Sequence, residues 1–252
     1  MFWGAKFEII NSMIHFNLLT IFPEIFNSYI NESILVRAQK KGLIKINPIN
    51  IRDYAYDKHR TTDDAPYGGG PGMVMKVEPI YEAVVKNSQY KIQTTKTGLK
   101  HAKSQRIILL SPKGEHFTQA KAQELTKYKQ IILISGRYEG VDERVAKYIA
   151  DEELSIGSYV LSGGELPSLV VTEAIARLIP GVLGSEESLR EESFSKMSNV
   201  KCPMSNVFRE YPQYTRPEVF SPKLGINWRV PAVLLSGDHK KIKEWRKSQA
   251  GV

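Results

Sequence analysis

Three glycine-bearing segments carry most of the chemistry legible in this chain. They are Tyr67-Gly-Gly-Gly-Pro-Gly72, Ser135-Gly-Arg-Tyr-Glu-Gly140 and Ser155-Ile-Gly-Ser-Tyr-Val-Leu-Ser-Gly-Gly-Glu165. Glycine lets a backbone take positive φ and approach a flat ligand closely. Backbone N–H and C=O groups can then read the edge of a heterocycle such as adenine without side-chain help. One such segment would read as a tight turn; three of them, read as lying at adjacent strand ends, point to a ligand cradle. Other chemistries lack their signatures. There is no Gly-x-Gly-x-x-Gly fingerprint, no P-loop and no Gly-x-Ser-x-Gly nucleophile elbow. The histidines at 15, 59, 101, 116 and 239 show no metal-ligand spacing, so no metal ligands are assigned.

The elements that must position these loops alternate. Ile14 to Ile21 reads as a strand, Pro23 to about Lys41 as a helix stopped by Gly42, and Ile44 to Ile51 as a strand. Asp53 to Gly72 is a long polar loop, and Glu78 to about Asn87 a helix. Ser88 to Gln105, rich in Lys and Thr without a period, reads as a flexible surface insertion. Then come a strand 106–110, a turn 111–115 and a helix 118–128. A second round follows with a strand 130–134, a loop 135–141 and a helix 142–148. A third has a short strand ending at 154–156, a loop 157–164 and a helix 166–179. That rhythm predicts a mainly parallel α/β sheet, whose ligand lies beyond the carboxyl ends of the strands.

With 252 residues and 28.5 kDa, one or two domains are expected, at roughly 150 residues each. We divide the chain into an N-terminal extension 1–13, a ligand-binding domain 14–184, a charge-rich linker 185–196 and a C-terminal domain 197–252. The single Cys202 excludes a disulfide framework and points to a reducing cytoplasm. No apolar run approaches a membrane span, so no membrane partner is expected. Lys and Arg number 35 against 27 Asp and Glu, giving a formal charge of +8 and a pI near 9.3. That balance favours polyanionic partners such as nucleic acid. Lys240, Lys241, Lys243, Arg246 and Lys247 concentrate it on the one clear C-terminal helix, 238–249.

Longer strings carry a resemblance. Pro66-Tyr-Gly-Gly-Gly-Pro-Gly-Met73, Leu110-Ser-Pro, Gly136-Arg-Tyr-Glu-Gly-Val-Asp-Glu-Arg144, the segment 155–165, Ile179-Pro-Gly-Val-Leu-Gly184 and Tyr214-Thr-Arg-Pro-Glu218 follow one another in order. From about Leu18 to Trp245 the chain resembles the bacterial tRNA (guanine-N1)-methyltransferases of the TrmD family, in the SPOUT superfamily. The resemblance implies an α/β SPOUT fold with a parallel sheet, a deep trefoil knot in the C-terminal part of the catalytic domain, and a small, mainly helical C-terminal domain that binds tRNA. The knot is not derivable from pattern, because threaded chains are nearly absent among folds. It further implies a homodimer with the active site at the subunit interface, S-adenosylmethionine as methyl donor, and methylation of N1 of guanine 37, just 3′ of the anticodon.

By resemblance, Leu109, Leu110, Ser111, Gly136, Tyr138, Glu139, Gly140, Ile156, Gly157, Ser158, Tyr159, Val160, Leu161, Gly163 and Gly164 wrap the cofactor. Pro71 and Gly72 lie near its methionine end. Glu139 read alone is equally a helix N-terminal acid favoured by the macrodipole. Guanine N1 bears a proton, so transfer needs a base, and the charge growing on O6 needs a partner. By resemblance these are Glu192 and Arg177. Arg216, Lys240, Lys243 and Arg246 would contact tRNA phosphates, which orient rather than specify. The plain readings are an acidic solvated linker for 186–192, a helix C-terminal dipole partner for Arg177 and a solvated face for the lysines.

Departures from the family pattern qualify this. Glu192 replaces the aspartate before Ser-Phe, with Glu191 a neighbouring candidate. The added methylene can move the oxygen by about an ångström, a misplacement that can cost about a hundredfold. Ser158 stands where the family has an acid, and Gln213 where it has a histidine. Residues 197–211 look inserted and the C-terminus short, which implies a smaller domain and a weaker tRNA grip. The resemblance leaves room for a magnesium ion, but no ligand set is legible. Two other readings stay open: a related SPOUT enzyme acting on another RNA site, and a non-catalytic RNA-binding protein.

Overall fold

The computed structural model describes residues 13–183, 211–223 and 225–249. The chain divides into two compact units, Met1–Gly184 and Ser185–Val252.

The first unit is built on a five-stranded sheet in the order β2-β1-β8-β7-β9, every neighbouring pair parallel. Its strands are β1 (Ile14–Thr20), β2 (Ile44–Asn50), β7 (Gln105–His116), β8 (Gln130–Ser135) and β9 (Glu152–Ser155). Strands covered on both faces read as unbroken apolar runs, and β8 is buried at all six positions. Alternate residues feed two cores. Leu18, Ile108, Leu110, Ile131 and Leu133 pack on one face, beneath α1 (Glu24–Ile30), α2 (Ser33–Lys40), α4 (Gln119–Leu125) and α6 (Glu165–Arg177). Leu19, Ile107, Leu109, Ile132 and Ile134 pack on the other, beneath α3 (Val77–Asn87) and α5 (Glu143–Tyr148). The mainly parallel α/β sheet read from the sequence is therefore what forms. Pro48 is tolerated because β2 is an edge strand.

Three expectations need correction. The single helix expected over 23–41 is two, broken at Asn31–Glu32, with Ser33 at φ +51°. The break lets Phe26 and Ile30 of one helix and Leu35 and Ala38 of the next all reach the same core. Residues 88–105 are not a structureless insertion. They contain a hairpin, β5 (Gln93–Thr95) with β6 (Gly98–Lys100), packed so closely that a Cβ on Gly98 would lie 2.8 Å from the Tyr148 carbonyl. The turn expected at 111–115 is an excursion within β7: both Leu110 and Glu115 pair with Leu154, so residues 111–114 bulge out at the strand's exit. The polar loop 53–72 also gains a short pairing, β3 (Asp63–Asp64) with β4 (Val74–Met75).

The second unit has an antiparallel pair, β10 (Val219–Lys223) with β11 (Ile226–Arg229), then short Ala232–Leu235 and longer His239–Gln249 helices. None of the residues in either helix is buried. No helix among the described residues is long and apolar enough to cross a membrane.

Candidate active site

The carboxyl ends of β7, β8 and β9 open on one cavity of about 380 Å³. The bulge supplies Ser111, Pro112 and Lys113. The turn after β8 supplies Gly136 to Gly140, and the loop after β9 supplies Ile156, Gly157 and Tyr159 to Gly164. Leu109, Leu110, Val141, Ala146, Leu154 and Pro167 form apolar walls. Parallel strands release their chains at one edge, which is why three separate sequence segments meet here.

Glycine is required where chains cross. A Cβ on Gly164 would lie 2.7 Å from the Ser135 Cα, and one on Gly136 would lie 2.9 Å from the Val141 side chain. Gly164 N–H donates to the Gly136 carbonyl at 3.0 Å. Between them the turn is strained: Tyr138 sits at φ +60°, a conformation costing a non-glycine residue about 1 kcal/mol or more. It is held on both sides, Glu139 N–H donating to Met73 O and Met75 N–H to Gly140 O.

Charge inside the cavity is uneven. Lys113 pairs with Glu143 at 2.9 Å, and that hydrogen bond holds its ammonium above the usual lysine range. Arg137 pairs with Glu165. Glu139 and Glu153 also line the cavity, and neither forms an ion pair among the described residues. Glu153 Oε2 is shielded from solvent without a hydrogen-bond partner. The lining is thus left with an excess of negative charge, which favours a cationic ligand.

The expected cofactor residues that line this cavity are Leu109, Leu110, Ser111, Gly136, Tyr138, Glu139, Gly140, Ile156, Gly157, Tyr159, Val160, Leu161, Gly163 and Gly164. Ser158 does not line it and turns to His116, 3.5 Å away. Pro71 and Gly72 do not line it either, but Gly72 abuts the Glu139 side chain. Arg177 closes the far end of α6. That helix has 13 residues, so Arg177 stands about 18 Å from Glu165 along its axis, and one chain does not bring it to the cavity. Glu192 lies outside the described residues. Arg216, Lys240, Lys243 and Arg246 are exposed in the second unit, with the Arg246 guanidinium 4.7 Å from the Tyr211 ring centroid.

Sequence reading missed Arg137, Lys113, Glu143, Glu153 and Glu165 here. The signal for two of them was available: Arg137 is the one cation inside a glycine turn, and Glu165 ends the third glycine string. Glu165 reads as an ordinary first-turn acid, yet it is only 1% exposed.

Among known proteins, the family described as tRNA (Guanine-1)-methyltransferase TrmD matches residues 14–251. Relatives named tRNA (guanine-N(1)-)-methyltransferase cover nearly the whole chain. The one from Carboxydothermus hydrogenoformans is 49% identical over 237 residues, 93% of this chain and 81% of its own. That from Dictyoglomus turgidum is 49% identical over 238 residues, 94% and 85%. That from Clostridioides difficile is 46% identical over 235 residues, 93% and 91%.

Proposed function

Because the chain belongs to the family of tRNA (guanine-1)-methyltransferases, we propose that its strand-end cavity holds S-adenosylmethionine and serves guanine 37 of tRNA, just 3′ of the anticodon. The activity itself, methylation of N1 of guanine in tRNA, comes with membership. The observation that carries the cofactor reading is the cavity's mixture of glycine turns, apolar walls and two carboxylates, Glu139 and Glu153, that form no ion pair among the described residues. It suits a flat base joined to a cationic chain. When bound, that group supplies a methyl on a sulfonium centre.

The chain's own residues do the rest. Leu110, Ile156 and Leu161 exclude water, while backbone groups of 136–140 and 156–164 read the base edge. Glu139 and Glu153 stabilise positive charge. Glu192 takes the N1 proton of guanine, and Arg177 stabilises the charge that then grows on O6. The target base has to leave its stack to reach them.

This reading needs a second copy. Arg177 lies too far along α6 to serve the cavity at the other end of its own helix. An exposed apolar strip adjoins the cavity: Leu166 and Val170 on α6, Ile25 and Tyr29 on α1, and Val160 at the rim, from 39% to 84% exposed. A homodimer buries that strip and carries Arg177 of one copy towards the cavity of the other. Within each copy, the tight crossing of 135–136 by 163–164 supports the expected knot. The second unit, with its exposed cations, would grip tRNA. Among the described residues no three His, Cys, Asp or Glu side chains converge on a cation site.

Purified protein, labelled S-adenosylmethionine and a tRNA bearing guanine at position 37 should yield 1-methylguanosine there. A methylated nucleoside at another position would reassign the target, and cofactor uptake without any product would count against the proposed base and arginine.

A further inference from the structure

We propose that Arg137 is a positioning residue for methyl transfer, strapping the turn 136–140 to the turn 162–164 and so fixing the shape of the cavity between them. This rests on reading that cavity as the cofactor site. Arg137 stands two residues past the end of β8. Its Nε–H donates to Glu165 Oε1 at 3.0 Å, and its Nη2 lies 2.9 Å from Oε2. Its Nη1 reaches back to Ser162, donating to the carbonyl at 3.3 Å and contacting Oγ at 3.4 Å. The guanidinium lies 4.9 Å from the centroid of the Phe22 ring. One side chain therefore touches the start of α6, the loop before it and the segment after β1.

The receiving carboxylate is built for this. Glu165 is 1% exposed, and Thr20, at the end of β1, donates its hydroxyl to Oε1 at 2.6 Å. Gly163 passes directly over the pair: a Cβ there would lie 2.3 Å from Arg137 Nε and 2.4 Å from Glu165 Oε2. The next residue along from Arg137 is the strained Tyr138, which lines the cavity beside Glu139. Buried ion pairs add little net stability over an apolar pair of like volume, so stability alone is a weak reason for this one. What the geometry does give is two loops, 25 residues apart in sequence, held in one register across the ligand space. A lysine cannot reproduce the planar fork that reaches Glu165 and Ser162 together.

The test uses the full-length protein, S-adenosylhomocysteine as calorimetric probe, thermal melting, and turnover on tRNA. Arg137→Lys keeps Glu165 paired, so it should melt near the wild type while losing about tenfold in probe affinity and about a hundredfold in kcat. The double variant Arg137→Met with Glu165→Leu removes both charges. It should recover any melting temperature lost by a single variant without recovering affinity or kcat. A double variant that binds the probe and turns over like the wild type overturns the strap. A wild type that takes up no S-adenosylhomocysteine overturns instead the assignment of the cavity, a separate and recognisable failure.

Discussion

Gly72 and Glu139 occupy the same corner: a Cβ on the glycine would fall 2.4 Å from Glu139 Cγ and 2.5 Å from its Oε1. The first glycine segment thus presses on the acid of the second, although neither Gly72 nor Pro71 reaches the cavity itself. Gly72 also sits at φ +78°, where any side chain is strained.

Gly72→Ala should therefore swing the Glu139 carboxylate away from its place. We expect S-adenosylmethionine affinity to fall about tenfold and stability by about 1 kcal/mol from the left-handed backbone. Calorimetry and melting measure the two separately. Unchanged affinity would show that Glu139 does not contact the cofactor.

Arg177 and the cavity stand at opposite ends of α6, so a site shared between copies predicts complementation. Arg177→Ala, and Gly157→Val, whose side chain would strike the Tyr159 ring, should each lose at least a hundredfold in turnover. Random reassociation of the two in equal amounts should restore about a quarter of wild-type turnover, since half the dimers are mixed and each holds one intact site. A mixture as inactive as its parts would place Arg177 and the cavity within one chain. Val170→Glu, on the exposed strip, should yield monomers by ultracentrifugation and abolish turnover. Glu192→Gln should abolish turnover while sparing cofactor affinity.

His101 gives a pH signature unrelated to catalysis. Its side chain is 9% exposed, with Nε2 3.1 Å from Asp151 and Nδ1 3.1 Å from the Ala102 carbonyl. The hydrogen bond that His101 donates to Asp151 outweighs burial and holds the imidazolium above its ordinary value of 6.5. A raised folded pKa means the contribution is complete below the ordinary value and fades as pH rises through the folded one. Melting temperature should therefore drop from pH 6 towards pH 9 more steeply in the wild type than in His101→Gln. Parallel slopes would remove the histidine from this role.

Lys240, Lys243 and Arg246 sit exposed on the His239–Gln249 helix, whose start is capped by Asp238 accepting from Lys240 and Lys241 N–H at 3.1 Å. Replacing all three with alanine should weaken tRNA binding across sequences and flatten the dependence of log K on log salt by about 2 to 3. An unchanged slope would move the phosphate contacts elsewhere.

The sequence alone determined the alternation of strands and helices. Apolar runs such as Ile131 to Ile134 have one stable use in a protein of this composition, as strands covered on both faces. It also determined that glycine-bearing turns follow those strands, and the motif order carried the family. Tertiary structure alone decided what depends on distant parts meeting. The hairpin at 93–100 is held by packing of Gly98 on Tyr148, not by any period in its own residues. Glu165 looks like a surface acid until Thr20 and Arg137, 145 and 28 residues away, close over it. By resemblance Arg177 serves the same site as the glycine loops, but a rigid helix sets it a fixed length from them. Sequence spacing reports separation along the chain, whereas hydrogen bonds, ion pairs and reach are settled by separation in space.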